Sequence, residues 1–439
     1  MRGITPLVLV CGLASVSAQT RPKESAREAC RVDHVEYSGW KAVQISNPWV
    51  TLAIVPQLGG RLMQVTFGGH EFLFVNEQLK GQSFPPEVSA EQKKWFNYGG
   101  DKIWPMPEGS NDEQHWPGAV GAALDAGAFV PQILSQGETC TVRLVGPSDP
   151  FIGQQYIRDI SIGADSPVIS FHAVMKNTSG YPQTWSEQSV SQYHTADAQN
   201  PAQANPDFWG VTPTHAQSVY LNAYHVRSGN ASNAGYRVRD GLFTVHTTDA
   251  SGEVWVDSPG EWLAVVDGAT KYAMIERFRY QRGADYPGKA TVIFYTSRAP
   301  MFYLEAEINS PLVRLDPGET YAMDTQWFPT RMGSDVKTVT YAGVVGRPLS
   351  AAGTPAKLTL AGGFGVFFAG HLEARFYDRG GMRLGALAVQ QVTPTDLVTL
   401  EQTVQAPADT TRVSIHLIDR QSVDRGPLGE VAVLPAKEQ

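Results

Sequence analysis

Residues 303–321 read YLEAEINSPLVRLDPGETY, in which apolar and polar residues alternate ahead of an Asp-Pro-Gly turn. A period of two indicates a β-strand, because successive side chains of a strand point to opposite faces. Glu305 and Glu307 then share one face with Tyr303, and the aliphatic residues occupy the other. The aliphatic face predicts a core between sheets, so the acidic face must look onto solvent or a cleft.

Similar alternating runs recur along the chain, for example at 50–67, 166–180 and 288–296, and Gly, Pro, Asn or Asp separates them. Such runs are typical of strands joined by turns. Helical patterning is scarce, and the best candidate is 85–96, with Ser89 as its capping residue. The sequence therefore predicts an all-β sandwich architecture.

Length and local composition predict a division of the chain, since more than 400 residues exceed the usual size of one core. A boundary rich in small and turn residues spans 331–356, which predicts a large β-domain at 30–340 and a small C-terminal β-sandwich at 350–439. The segment 195–235 is long, polar and rich in Pro, Asn and aromatic residues. We expect this segment to form a functional rim.

The N-terminus begins MRGITPLVLVCGLASVSAQ, with an early positive charge, a short apolar stretch and small residues at its end. This pattern predicts a secretory signal peptide at 1–18, and hence a secreted or periplasmic protein without a membrane span. Cys11 would leave with the signal. Cys30 and Cys140 remain, and the sequence leaves open whether they pair.

The overall charge is negative, −8 at pH 7, and no basic stripe is present. Phosphate binding requires clustered Lys and Arg, so nucleic acid is a poor partner. Oligomeric state is left open. Neither an HExxH motif, clustered Cys and His, a phosphate loop nor a Gly-x-Ser-x-Gly elbow occurs, so we expect no metal and no cofactor.

The two glutamates of the opening stretch form the first candidate site. Alpha carbons two residues apart on a strand lie about 6.5–7 Å apart, which brings the carboxyl groups into the range that glycosidases use. In a partly dry cleft, like charges would raise one pKa and give an acid–base pair. The alternative is a solvated polar face, or acids paired with Arg on neighbouring strands.

A second candidate, WFNYGGDKIWPMPEGSNDEQHW (95–116), places aromatic residues around a Gly-Gly turn. We expect Asp101 and Lys102 to be presented on a loop after that turn, with Trp104 as a stacking platform. Aromatic planes with a few polar groups are typical of sugar pockets. Alternatively, these Trp residues plug one end of the sandwich.

A third candidate, TWSEQSVSQYHTAD (184–197), predicts a strand with Gln188 and Gln192 on one face and His194 at its end. His194 is a candidate acid or base, because histidine titrates near neutrality. The alternative is a structural histidine. Glu276 and Arg277 would face opposite sides of a strand, so only one can serve a cleft; we take Glu276.

Several of these motifs resemble a known superfamily. VTLAIVPQLGGRLMQVTFGGHEFLFVN (50–76) and YLEAEINSPLVRLDPGETYAMDTQWFP (303–329) are similar to the opening and closing stretches of galactose-mutarotase-like (aldose 1-epimerase-like) proteins. NYGGDKIWPMP (97–107) is closer to a secreted bacterial branch of that superfamily. The resemblance spans about 35–335 and implies a β-supersandwich, a carbohydrate ligand, and Glu305 in the position of the catalytic base.

The chain departs from the epimerases where their acid is expected. Their Asn-His-x-Tyr-Phe motif corresponds to SEQSVSQYH (186–194), and YGGDKIWP (98–105) replaces their His-Gly-Gly loop. Epimerisation needs a base on the anomeric hydroxyl and an acid on the ring oxygen. Simple epimerase activity is therefore an alternative here, not the leading expectation.

We expect an exported carbohydrate-active enzyme that acts on an oligosaccharide or glycan with Glu305 as base. Candidate catalytic partners are His194 and Asp101. Substrate contacts are expected from a wider set of residues, namely Arg61, Lys102, Trp104, Gln192, Glu276 and Glu307. Two alternatives remain: a sugar-binding protein without catalysis, and a structural role in which the C-terminal sandwich docks a partner.

Overall fold

A computed structural model describes residues 29–109 and 116–433. The predicted signal peptide, with Cys11, lies outside these residues. The described chain contains 30 strands and little helix, so the all-β prediction is confirmed.

In chain order, the strands of the large part are β1 Arg31–Tyr37, β2 Trp40–Ser46, β3 Val50–Val55, β4 Arg61–Phe67, β5 His70–Glu71, β6 Asp101–Met106, β7 Val130–Ser135, β8 Thr139–Ser148, β9 Gln154–Gly163, β10 Ile169–Asn177, β11 Gln183–His194, β12 Phe208–Pro213, β13 His225–Gly229, β14 Tyr236–Arg239, β15 Leu242–His246, β16 Gly252–Val256, β17 Trp262–Asp267, β18 Tyr272–Arg277, β19 Val292–Thr296, β20 Tyr303–Asn309, β21 Val313–Leu315 and β22 Thr320–Arg331. The remaining strands are β23 Thr338–Val339, β24 Gly343–Thr354, β25 Lys357–Val366, β26 Gly370–Tyr377, β27 Arg383–Val392, β28 Val398–Val404, β29 Arg412–Asp419 and β30 Asp424–Ala432. Two short α-helices, α1 Pro86–Gln92 and α2 Ala123–Ala126, and two 3₁₀ turns, Glu77–Leu79 and Pro287–Lys289, complete the elements.

Two large antiparallel sheets form the main body. The twelve-stranded sheet A has the order β1-β2-β3-β4-β6-β11-β20-β19-β16-β13, with β5 paired to β4 and β21 to β11. The ten-stranded sheet B has the order β14-β15-β12-β17-β18-β22-β10-β9-β8-β7. Apolar residues from alternate positions of both sheets form one continuous core between them. Strands that are far apart in the sequence, such as β6, β11 and β20, are neighbours in sheet A.

The small C-terminal sandwich contains two four-stranded sheets, β23-β24-β25-β28 and β27-β26-β29-β30, with a core of its own. It contacts the outer face of sheet B, where Phe328 packs on Phe367 with ring centroids 4.6 Å apart. The predicted boundary at 331–356 thus contains β23 and the whole of β24, and the connection after β22 is short. The domain limits themselves remain a prediction.

Three local expectations meet different outcomes. Cys30 and Cys140 form a disulfide, with alpha carbons 5.8 Å apart, which answers the question that the sequence left open. The predicted helix does form, but Ser89 lies inside it rather than capping it. The hydroxyl of Ser89 instead donates to the carbonyl of Lys94, beyond the helix end. The predicted rim at 195–235 contains two strands, β12 and β13, and so is more regular than expected.

Candidate functional site

A pocket of about 450 Å³ opens on the outer face of sheet A, away from the core between the sheets. Its walls come from β6 and the residues that follow it, and from β11, β20, β19, β16 and β13. The lining residues are Trp104, Met106, Glu108, Gly109, Pro117, Gln188, Arg227, Ser228, Glu253, Trp255, Ile293, Tyr295, Glu305 and Glu307. Glu305 and Glu307 both line it, as the period-two pattern predicted.

Antiparallel register explains why these side chains meet. Gln192 on β11 and Tyr295 on β19 lie directly opposite Glu305, one on each side of β20. Residues directly opposite in an antiparallel pair point to the same face of the sheet. The next row, two residues along, has Ile293 beside Glu307. Central β20 is buried on both faces, because the core covers one face and the pocket walls enclose the other.

Glu305 is held by two partners. The Gln192 side chain donates a hydrogen bond from Nε2 to Glu305 Oε1 at 2.7 Å. The Lys102 ammonium lies 3.7 Å from the same oxygen and is 1% exposed, beneath the pocket. This arrangement fixes the direction of one carboxylate and gives it a nearby positive charge.

Two indole rings surround the ammonium of Lys102. Nζ lies 4.1 Å from the centre of the Trp104 ring and 5.4 Å from that of Trp95. Such contacts are favourable, above all where water is excluded. Burial lowers the pKa of Lys102, and Glu305 opposes that effect. Asp101 and Lys102 open strand β6, so their predicted place on a loop was wrong; Gly99 and Gly100 before them do adopt positive φ angles, +92° and +73°.

Glu307 is held by a different partner. It accepts a hydrogen bond from Gln188 Nε2 at 2.6 Å and is 8% exposed. Burial, with the neighbouring charge of Glu305, raises its pKa well above the ordinary range. The two acids of the opening stretch are thus unlike: Glu305 has a cation beside it, and Glu307 favours the protonated form.

Two further acids face the pocket that sequence reasoning did not single out. Glu253 on β16 accepts a hydrogen bond from the indole of Trp255, and burial raises its pKa. Glu108 lies two residues after the end of β6 and remains accessible to solvent. Desolvation by the pocket walls, with the charges of Glu305 and Glu253, raises the pKa of Glu108 to about 7.

Aromatic surfaces and one exposed cation complete the walls. Trp104, Trp255 and Tyr295 line the pocket, and the guanidinium of Arg227 lies 5.9 Å from the centre of the Trp255 ring. Arg227 belongs to β13, inside the segment expected to form a rim. The sequence left open whether the Trp residues of 95–116 line a sugar pocket or fill space in the sandwich. Trp116 fits the second alternative, since it is 1% exposed and packs on Trp104.

Four predicted site residues lie elsewhere. Asp101 and Glu276 are fully buried between the sheets, where Asp101 pairs with Arg158 and Glu276 accepts a hydrogen bond from Tyr193 Oη at 2.6 Å. Arg61 is also buried, and its guanidinium pairs with Asp125 at 2.5 Å. His194 ends β11 as expected but stacks near Phe74 outside the pocket. These four therefore cannot contact a ligand of Glu305 in this structure.

Comparison with known proteins gives structural neighbours only. No protein-family model matches the sequence, and no curated protein matches it. The similar solved structures are mostly galactose-mutarotase-like or aldose 1-epimerase-like proteins. The motifs of the sequence resemble the same group.

Three of these structures illustrate the extent of the likeness. A galactose mutarotase-like protein from Clostridium acetobutylicum is 9% identical, with a TM-score of 0.44 over 69% of this chain and 98% of that chain. Slr1438 from Synechocystis is 10% identical, with a TM-score of 0.48 over 68% and 99%. A TPR-domain containing protein from Parabacteroides distasonis is 14% identical, with a TM-score of 0.45; the match covers 68% of this chain and 48% of that one, about half its length.

Within 29–109 and 116–433, no group of three or more His, Cys, Asp or Glu side chains is arranged to hold a metal ion. In the same ranges, no helix is long and apolar enough to cross a membrane.

Proposed function

We propose that the protein binds a carbohydrate in the pocket of sheet A and acts on it by acid–base catalysis, with Glu305 as the base. The observation that carries the proposal is the setting of Glu305. Its carboxylate lines a pocket with three aromatic walls, and Gln192 and Lys102 hold it from below. Aromatic planes with a few directed polar groups are the usual make-up of sugar sites. The sequence resemblance supports the same role for Glu305.

A screen of oligosaccharides tests the proposal. The protein is incubated with malto-, cello-, xylo-, chito- and galacturono-oligosaccharides, and products are read by mass spectrometry and by NMR of the anomeric protons. Products whose masses sum to that of the substrate plus water indicate hydrolysis. Products whose masses sum to that of the substrate alone, one of them unsaturated, indicate elimination, and an unchanged mass with altered anomers indicates isomerisation. No change with any sugar would contradict the proposal.

The Glu305→Gln variant then tests the assigned base. Removal of a general base reduces turnover by about 10²–10⁴-fold. The matched control is Glu401→Gln, an exposed glutamate of β28 in the small sandwich. Full activity of Glu305→Gln would contradict the assignment.

A second candidate is sugar binding without catalysis. It is favoured by the position of His194, which does not line the pocket. Tight binding of a sugar with no product, unaffected by Glu305→Gln, would support this candidate over the enzyme.

Export is part of the proposal. The N-terminal pattern predicts a cleaved signal peptide, and the Cys30–Cys140 disulfide fits an oxidising compartment. Intact mass measurement of the protein recovered from outside the cytoplasm tests this, with cleavage after Ala18 as the expected result.

A further inference from the structure

We infer that Glu108 is the proton donor that works together with Glu305 in this pocket. The inference rests on the proposed function, because it supplies the acid that acid–base chemistry at an acetal carbon requires. Asp101 and His194, the candidate acids expected from the sequence, do not line the pocket.

The sheet order puts the two acids on different sides of the pocket. Glu305 belongs to β20, and Glu108 lies two residues after the end of β6, which is two strands away across β11. Neighbouring strands are spaced by about 4.8 Å, so the two strands are about 10 Å apart. Both acids line the same pocket of about 450 Å³, which has room for a sugar ring.

The backbone around Glu108 is anchored. Trp116 donates from its backbone N–H to the carbonyl of Pro107 at 2.9 Å, and its own carbonyl accepts from Gly109 N–H at 2.8 Å. Trp116 is 1% exposed and packs on Trp104, so this pair of hydrogen bonds ties Glu108 to the core. The residues on either side of Glu108 are therefore fixed relative to the pocket wall.

The carboxyl group itself rests against Gly118. A methyl group built on Gly118 would lie 2.9 Å from Glu108 Oε1, closer than atoms in contact allow, and the φ of Gly118 is +97°. Glycine is suited to that backbone angle, and it also leaves the space that the carboxyl group occupies. Glu108 is thus held at the wall from its backbone and from its side chain.

The other acids of the pocket fit the donor role less well. Glu307 is hydrogen-bonded to Gln188, and burial with the charge of Glu305 raises its pKa well above the ordinary range, so it gives up a proton less readily than Glu108. Glu253 is engaged by the indole of Trp255. Glu108 is accessible to solvent, and its pKa of about 7 keeps a substantial protonated fraction at neutral pH, whereas a base must be ionised.

The proton balance is the same for hydrolysis and for ring opening. Glu305 takes a proton from the oxygen that donates electrons to the acetal carbon, either a water molecule or the anomeric hydroxyl. The bond from that carbon to the glycosidic or ring oxygen breaks, and Glu108 gives its proton to the departing oxygen. Glu305 ends protonated and Glu108 ionised, and exchange with water restores both.

The test compares pH profiles on the oligosaccharide that the screen shows to be turned over. In Glu108→Gln we expect kcat to fall by about 10²–10⁴-fold, and the decline of kcat above pH 7 to disappear. Glu253→Gln, a second pocket acid, should change KM and keep the alkaline decline. Glu401→Gln should match the wild type. A thermal unfolding scan of each variant checks that it is folded.

The outcomes separate this inference from the proposed function. If Glu305→Gln is inactive but Glu108→Gln keeps its kcat and its alkaline decline, Glu108 is not the donor and the proposed function stands. If no sugar is turned over, or if Glu305→Gln is fully active, the proposed function fails and the inference fails with it. Carboxyl ¹³C NMR adds a readout without substrate: a signal that titrates near pH 7 should vanish in Glu108→Gln, and its persistence there would overturn the inference.

Discussion

At the scale of single residues, two acids buried between the sheets have raised pKa values, as acids of the pocket do. Neither carboxyl oxygen of Glu187 has a hydrogen-bond partner among the described residues, and burial raises its pKa well above the ordinary range. Burial also raises the pKa of Glu276 to about 8, against an ordinary 4.5. Both acids are therefore expected to be neutral in the folded core at neutral pH.

Glu276 makes the stability of the fold depend on pH. The unfolded chain loses this proton near pH 4.5 and the folded chain near pH 8, so the folded state holds the extra proton between these values. The free energy of unfolding should then fall as pH rises through this window. We predict that Glu276→Gln flattens that fall by at most about 1.4 kcal/mol per pH unit.

Urea unfolding from pH 5 to pH 8 measures this effect. Tyr193 can still donate to the amide oxygen of the variant, so the comparison changes the charge more than the contact. Equal pH slopes for the wild type and Glu276→Gln would show that Glu276 ionises normally in the fold.

At the scale of elements, the alternation of apolar and polar residues along a strand predicts which face of the sheet each side chain occupies. It assigned Glu305 and Glu307 to one face, and it separated Gln188 and Gln192 from the core face of β11. The structure agrees with this assignment. The aliphatic side chains determine the register, since a one-residue shift would move every one of them in these strands out of the core.

Strand order was beyond such reasoning. Glu253 approaches Glu305 only because β16 pairs with β19 and β19 with β20, and no local pattern encodes that order. Glu108 was missed for a related reason, since hydrogen bonds to Trp116 determine where its segment lies. The acids Asp101 and Glu276 were misassigned because a buried ionisable residue in a strand looks the same in sequence as an exposed one.

The disulfide joins elements of different sheets. Cys30 directly precedes β1 of sheet A, and Cys140 belongs to β8 of sheet B, 110 residues away. A cross-link that closes a long loop restricts the unfolded chain, typically for a gain of about 2–5 kcal/mol. We predict that the double variant Cys30→Ala, Cys140→Ala loses about this much free energy of unfolding in urea. Reductant should lower the wild type to a similar value, and a wild type insensitive to reductant would contradict the prediction.

At the scale of the whole molecule, the small sandwich and the pocket lie on different sheets. The sandwich packs on the outer face of sheet B, whereas the pocket opens on the outer face of sheet A. The C-terminal sandwich therefore does not line the pocket. Its contact with sheet B includes an apolar cluster and several hydrogen bonds, which indicates a role in stability.

Phe367 tests this separation. It is fully buried against Phe328, and removal of a buried Phe side chain costs about 3–5 kcal/mol. We predict that Phe367→Ala lowers the free energy of unfolding by about that amount and leaves the affinity for the sugar unchanged. Denaturant unfolding and calorimetric titration measure the two effects. A loss of affinity in a folded variant would instead couple the small sandwich to the pocket.

The alternation of side chains along the pocket strands has a consequence for how this surface can change over time. The positions that line the cavity on β20, β19 and β16 are interleaved with positions that fill the core, as Glu305 is with Leu304 and Ala306. A substitution at an outward position leaves its inward neighbours in place. Selection can therefore alter which ligand this face accepts, one strand at a time, while the packing that maintains the fold is inherited unchanged.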